Sequence, residues 1–208
     1  MAMKRIWDIS PNVDEHSAVF PGDTAYSQHL QFALGAECPV NVNAITLSPH
    51  TGAHADAPLH YSASGQAIGT LDLLPYLGVC RVIHCIDCGP LIQPAAITHA
   101  LTDLPPRVLI RTSHVASQSC KGFSALAEET ISLLASLHVL LVGVDTPSVD
   151  PATSQDLPCH HQLLRHDLRV LENLVLDEVA AGDYELIALP LKLSRADASP
   201  VRAILREI

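Results

Sequence analysis

The 208-residue chain is short of positive charge. Twelve lysines and arginines stand against twenty-two aspartates and glutamates, a formal net charge of −10, the wrong sign for gripping nucleic acid or an anionic membrane surface. Long apolar runs are absent as well. Runs such as Val139–Val144 and Leu186–Leu191 are six residues each, where a membrane-spanning helix needs roughly 18 or more. The opening stretch, Met1-Ala2-Met3-Lys4-Arg5-Ile6-Trp7-Asp8, carries neither an apolar core nor a cleavage pattern, so no signal peptide is expected. No glycine-rich phosphate loop follows an expected strand, which removes nucleotide chemistry, and no G-x-S-x-G elbow supplies a serine nucleophile. Cys85 and Cys88 form a lone CxxC with no second pair at close spacing, which argues against a four-cysteine zinc site. Without a secretion signal the six cysteines read as free thiols in a reducing, cytoplasmic setting. With 48% hydrophobic and 16% charged residues, disorder is excluded. What the chain does have in excess is histidine: twelve, as many as all lysines and arginines together.

No repeat, low-complexity tract or polar linker divides the sequence, so residues 1–208 are expected to form one domain. Short β-branched runs predict strands at Arg5–Ile9, Asn43–Ser48, Cys80–Cys85, Arg107–Thr112, Val139–Val144 and Tyr184–Ala188. A helix is predicted over Ala125–Leu137, with Leu126, Ile131, Leu134 and Leu137 as its apolar stripe and Glu128 and Glu129 in its first turns. Shorter helices are predicted at Pro94–Leu101 and His160–Arg169. Many strands and few helices make this an α/β domain, a single compact body with a mixed β-sheet core.

The histidines that carry chemistry lie in Ser48-Pro49-His50-Thr51-Gly52-Ala53-His54-Ala55-Asp56-Ala57-Pro58-Leu59-His60. His50 and His54 have helical spacing, but Pro49, Gly52 and Pro58 disfavour a helix. Read as extended chain with a period of two, His50, His54, Asp56 and His60 all project to one side. Thr51, Ala53, Ala55, Ala57 and Leu59 then face the protein body. One histidine alone is more often structural than a ligand, but imidazoles and a carboxylate in phase on an alanine-rich segment point to a metal site. Three ligands, His50, His54 and Asp56, leave one open position on a tetrahedral zinc, as catalytic sites do. His60, further along, suits a proton carrier.

The motif resembles the signature of the metal-dependent cyclase-like hydrolases, and within them that of the bacterial kynurenine formamidases. The likeness extends over Trp7-Asp8-Ile9-Ser10, Phe20-Pro21-Gly22-Asp23-Thr24, Gly143–Asp150 and Ala188–Lys192. It implies a swivelling β/β/α fold, a homodimer, and hydrolysis of a small substrate, N-formylkynurenine, to kynurenine and formate. It further implies two zinc ions per subunit: one on His50, His54 and Asp56, the other sharing Asp56 and completed by His160 and Glu172, with Glu172 touching both. By the same resemblance His60 is the catalytic acid/base and Phe20 lines the substrate pocket. Ser62 stands where relatives commonly carry an acidic residue, and His161 competes with His160 for assignment. His160 and Glu172 would be about 18 Å apart on one continuous helix, so the chain must turn between Arg165 and Glu172.

Overall fold

The β-branched runs pair as expected, and they do so around a parallel centre. In the computed structural model, which describes residues 4–208, the strands are β1 (Ile6–Asp8), β2 (Ser27–Phe32), β3 (Val42–Thr46), β4 (His54–Asp56), β5 (Leu77–His84), β6 (Leu91–Ile92), β7 (Arg107–Arg111), β8 (Ala125–Leu126), β9 (Leu141–Val144), β10 (Arg169–Glu172), β11 (Gly182–Ile187), β12 (Ala198–Pro200) and β13 (Ile204–Arg206). The helices are α1 (Pro58–Tyr61), α2 (Pro94–Ile97), α3 (Glu128–Ser136) and α4 (Pro158–His166). Met1–Met3, the first residues of the stretch read above for a leader, lie outside the described residues. No helix among the described residues is long and apolar enough to cross a membrane.

Nine strands form one mixed sheet in the order β1-β13-β11-β5-β7-β9-β10-β4-β12. The contiguous strands β5, β7, β9 and β10 run parallel, and the strands outside them pair antiparallel. Parallel strands need both faces covered, and alternate residues here feed two separate cores. Val108, Ile110, Val142, Val144 and Val170 pack with Ile131, Leu134 and Leu163 of α3 and α4. Leu109, Leu141 and Leu171 point the other way, into a core with Tyr76, Leu174, Leu186 and Leu205. Gly143 lies on that second face, where a Cβ would come within 2.5 Å of Leu109 and 2.9 Å of Leu174.

Three predicted elements are corrected. The long helix begins only at Glu128, because Ala125 and Leu126 extend to pair in parallel with Leu91 and Ile92. Leu126 is thus a buried strand residue and not part of the helical stripe. The helix predicted from His160 starts at Pro158 and stops at His166, where Asp167 adopts a left-handed φ of 54°. The chain then enters β10, so the required turn before Glu172 is present. The extended reading of residues 50–60 holds only for β4, flanked by a turn at His50 and by α1 at His60.

Candidate metal centre

β4 delivers the heart of the site. Its neighbours in the sheet, β10 and β12, place Glu172 opposite His54 and Val170 opposite Asp56, with Ala198 across from Asp56 on the other side. Ala53, Ala55 and Ala57 turn into the core, all at most 3% exposed, so the alternation does aim His54 and Asp56 together. His50 reaches the same spot from the turn before β4. Gly52 supports that turn: its φ is +67° and a Cβ would lie 2.7 Å from Val13, a conformation and a contact that favour glycine. His60 arrives on the first turn of chain after Pro58, and His160 from α4.

The side chains converge on two carboxylates. Oδ1 of Asp56 lies 3.0 Å from Nδ1 of His50 and 3.4 Å from Nε2 of His54. Oδ2 of Asp56 lies 3.4 Å from Nε2 of His160. Glu172 spans the same two groups, with Oε2 3.4 Å from Nε2 of His54 and Oε1 3.7 Å from Nε2 of His160. All but His50 and His60 are nearly sealed from solvent. Donors around a tetrahedral ion at about 2.05 Å stand about 3.3 Å apart, so the observed spacing suits a bound cation. Oδ1 of Asp56 is buried without a hydrogen bond: the nearby His50 nitrogen is out of line for an N–H···O bond, as two bases converging on an ion are.

The outer nitrogens are tied down in the way metal-binding imidazoles require. Nδ1 of His54 donates to the Gly52 carbonyl at 2.9 Å, and Nδ1 of His160 to Asp150 at 2.6 Å. Both leave Nε2 facing the carboxylates. The carboxylates that would draw a cation also draw protons. Burial acts to lower the His50 and His160 pKa values, but the surrounding carboxylates outweigh it and raise them to about 9 and about 10. His54 is raised in the same way by Glu172 and Asp56. Burial opposes ionisation of Asp56, yet His160 and His50 hold its carboxyl well below the usual range.

Two triads have all their donor atoms within 4.8 Å of one another: His54, Asp56 and Glu172, and His50, Asp56 and His60. The second sets His60 beside His50, with ring centroids 4.3 Å apart. The centre opens into a cleft of about 310 Å³ lined by Phe20, Asp23, His50, His54, His60, Pro147, Leu157, His160 and Glu172 among others. Phe20, His50, His54, His60, His160 and Glu172 therefore border one cavity, and Asp56 lies buried behind the histidines it meets. His161 and His166 are exposed on α4, so His161 does not compete with His160. The Ser62 hydroxyl lies 3.4 Å from that of Ser64. In the CxxC, Cys85 is buried, its thiol pushed up to about 12 chiefly by burial, Cys88 is exposed, and no cysteine is paired.

Two carboxylates escaped the sequence reading. Asp150, fully buried, accepts from His160 Nδ1 and from the backbone N–H groups of Cys159 and His160. Asp197 meets both His50 and His60. Asp150 was visible as the end of the Gly143–Asp150 segment, though without a role; nothing local marks Asp197.

Comparison with known proteins places this geometry in context. The family model described as putative cyclase matches residues 7–151. A kynurenine formamidase from Polaromonas naphthalenivorans (strain CJ2) is 72% identical over 204 residues, covering 98% of this chain and 92% of the relative. One from Bordetella petrii is 62% identical over 208 residues, covering 99% and 100%. Among solved structures, a predicted metal-dependent hydrolase from Bacillus stearothermophilus superposes with a TM-score of 0.83 at 25% identity over the whole of both chains. An isatin hydrolase bound to the product analogue thioisatinate shares the fold, with a TM-score of 0.82 at 21% identity over 98% of this chain and 92% of that one.

Proposed function

The chain belongs to the putative cyclase family, and on that footing we propose that it is a metal-dependent kynurenine formamidase, hydrolysing N-formyl-L-kynurenine to L-kynurenine and formate in tryptophan degradation. The observation that carries this reading is 72% identity over 98% of the chain to a protein of that name. The whole of residues 1–208 is taken as one hydrolase domain. In this reading the resident metal is zinc, two ions per subunit, which suits a mixed imidazole and carboxylate donor set. His50, His54 and Asp56 hold one ion; Asp56, His160 and Glu172 hold the other. The support is the spacing of donors about the two oxygens of Asp56, with Glu172 reaching both groups.

When bound, the metals supply Lewis acidity and a water acidified towards neutral pH. The protein's own groups do the rest. His60, at the mouth of the centre, takes the proton released as water oxygen adds to the formyl carbon. It returns that proton to the aryl nitrogen as the C–N bond breaks. Phe20 offers the aromatic leaving group an apolar wall, and the buried floor of the cleft keeps bulk water from the reacting atoms. Chelator-stripped protein should lose formylkynurenine hydrolysis and regain it with zinc, and His60→Ala should lower kcat about 10²- to 10⁴-fold with metal retained. Full activity without metal would overturn the proposal. A panel of other small amides, esters and lactones tests the alternative of a same-family hydrolase with a different substrate.

The reading also includes a homodimer in the cytoplasm. β2 and β3 form a hairpin apart from the main sheet, and Leu30, Phe32, Val42 and Ile45 on it are 41–58% exposed. An isolated two-stranded ribbon is marginal in water, so a partner surface is expected to cover it. The free thiols favour a reducing compartment.

A further inference from the structure

Each proposed metal-binding histidine has one ring nitrogen turned inward and the other tied to an outer acceptor. Gly52 serves His54 and Asp150 serves His160. For His50 the acceptor is Asp197, whose Oδ2 lies 3.0 Å from Nε2. The same oxygen lies 3.2 Å from Nδ1 of His60.

The backbone makes this carboxylate a fixed feature. The Asp197 carbonyl accepts from Ala57 N–H at 2.8 Å, immediately before β12 pairs with β4. The preceding loop is pinned through Ala196 and Leu193 carbonyls, which accept from Ile68 and Gly69 at 2.9 and 3.0 Å. A Cβ on Gly69 would lie 2.5 Å from the Leu193 oxygen, so this approach needs glycine.

We propose that Asp197 is a positioning residue that sets the tautomers of His50 and His60 together, through one carboxylate oxygen. His50 donates its Nε2–H to Asp197 and is left with a lone pair on Nδ1, the atom 3.0 Å from Asp56. It therefore binds metal through Nδ1, whereas His54 and His160 use Nε2. His60 donates its Nδ1–H and keeps Nε2 for the substrate, the logic by which a carboxylate orients a catalytic imidazole elsewhere. Shared acceptance also explains the close, tilted packing of the two rings, 46° between planes. Metal binding and proton transfer thus depend on one side chain. The metal on His50 and the role of His60 rest on the function proposed above; the hydrogen bonds to Asp197 do not.

The test uses zinc-loaded protein with ¹⁵N-labelled histidine. Long-range ¹H–¹⁵N correlation spectra should show His60 protonated at Nδ1 and His50 protonated at Nε2 with Nδ1 on the metal. Asp197→Asn should lower kcat about 30- to 100-fold with KM within about threefold, weaken zinc binding about tenfold, and abolish the fixed His60 tautomer. Asp197→Glu should recover part of kcat. His50 bound through Nε2, an unchanged His60 tautomer in Asp197→Asn, or a loss confined to KM would each overturn the proposal. Wild-type protein with the expected tautomers but no formylkynurenine hydrolysis would leave the positioning role standing and refute the substrate assignment instead.

Discussion

Replacing Asp150 with asparagine changes almost no volume, yet it removes a charge from a carboxylate that serves three donors. Oδ1 accepts from Cys159 N–H at 2.9 Å; Oδ2 accepts from His160 N–H at 3.1 Å and His160 Nδ1 at 2.6 Å. The residue preceding α4, Leu157, has no capping side chain, so Asp150 caps this helix from outside it and meets its positive end. An asparagine has only one oxygen. Whichever way the amide turns, its NH2 faces a buried N–H, at a cost of about 1–3 kcal/mol. The better orientation keeps the oxygen on His160 and sacrifices Cys159. Stripped protein should then melt roughly 4–8 °C lower for a cost of about 2 kcal/mol in a chain of this size.

The effect on metal should be selective. Without the charge of Asp150, His160 is less firmly oriented and less basic, and affinity for the ion it shares with Asp56 and Glu172 should fall about 10- to 100-fold. Among the described residues the His50–His54–Asp56 group forms no hydrogen bond or ion pair with Asp150, and it should keep its ion. Titration of stripped Asp150→Asn protein with zinc, followed calorimetrically, should show one tight and one weakened site where wild type shows two tight ones. Excess zinc should restore much of the activity. The sign of the pH dependence follows from the carboxyl itself: burial would raise its pKa, but His160 and the backbone donors hold it below the ordinary value. Its contribution is complete above about pH 4 and is lost as pH falls through the lower folded value. The gap in melting temperature should therefore close in acid. Equal weakening of both sites, or two unweakened ones, would refute the reasoning.

Three further outcomes are expected. Because the carboxylates raise His50 and His160 to about 9 and about 10, and His54 upward as well, loading the site at pH 7.5 should release two or more protons, and apparent affinity should fall as pH is lowered; a calorimetric enthalpy independent of buffer ionisation would refute this. Phe20→Ala should raise KM roughly tenfold, about 1.4 kcal/mol of lost aromatic contact, while leaving kcat within about threefold; an unchanged KM would remove Phe20 from the substrate wall. Aspartates in place of Phe32 and Ile45 should convert a dimer to folded monomers by sedimentation velocity; a wild-type monomer would show that the hairpin is not an interface.

What could be read from the sequence depended on how far apart the interacting parts lie. The period of two across Ala53–Ala57 is local, and it correctly aimed His54 and Asp56 away from a core that buries the alanines. The same period failed at His50 and His60. Gly52 and Pro58 end the strand, and these side chains reach the centre from a turn and a helix instead. Agreement in parity there was a coincidence of chain length, although the residues it selected do meet at one place. The turn that brings Glu172 back to His160 was legible because, once the family resemblance put both on one ion, a simple length argument demanded it.

The outer carboxylates obey no such local rule. Asp197 is 137 residues from His60 and 147 from His50, and it meets them only because β12 pairs with β4. That pairing is set by strands too short to predict. Asp150 and His160 are ten residues apart, joined by a loop whose reach no periodicity reports. A side chain that binds an ion must bear a recognisable donor, and clusters of donors are visible in sequence. A residue that turns a histidine ring needs only one oxygen at the right point in space, and that point is a property of the sheet register. The perturbations of Asp150 and Asp197 therefore test the part of the centre that folding, and not motif, assembles.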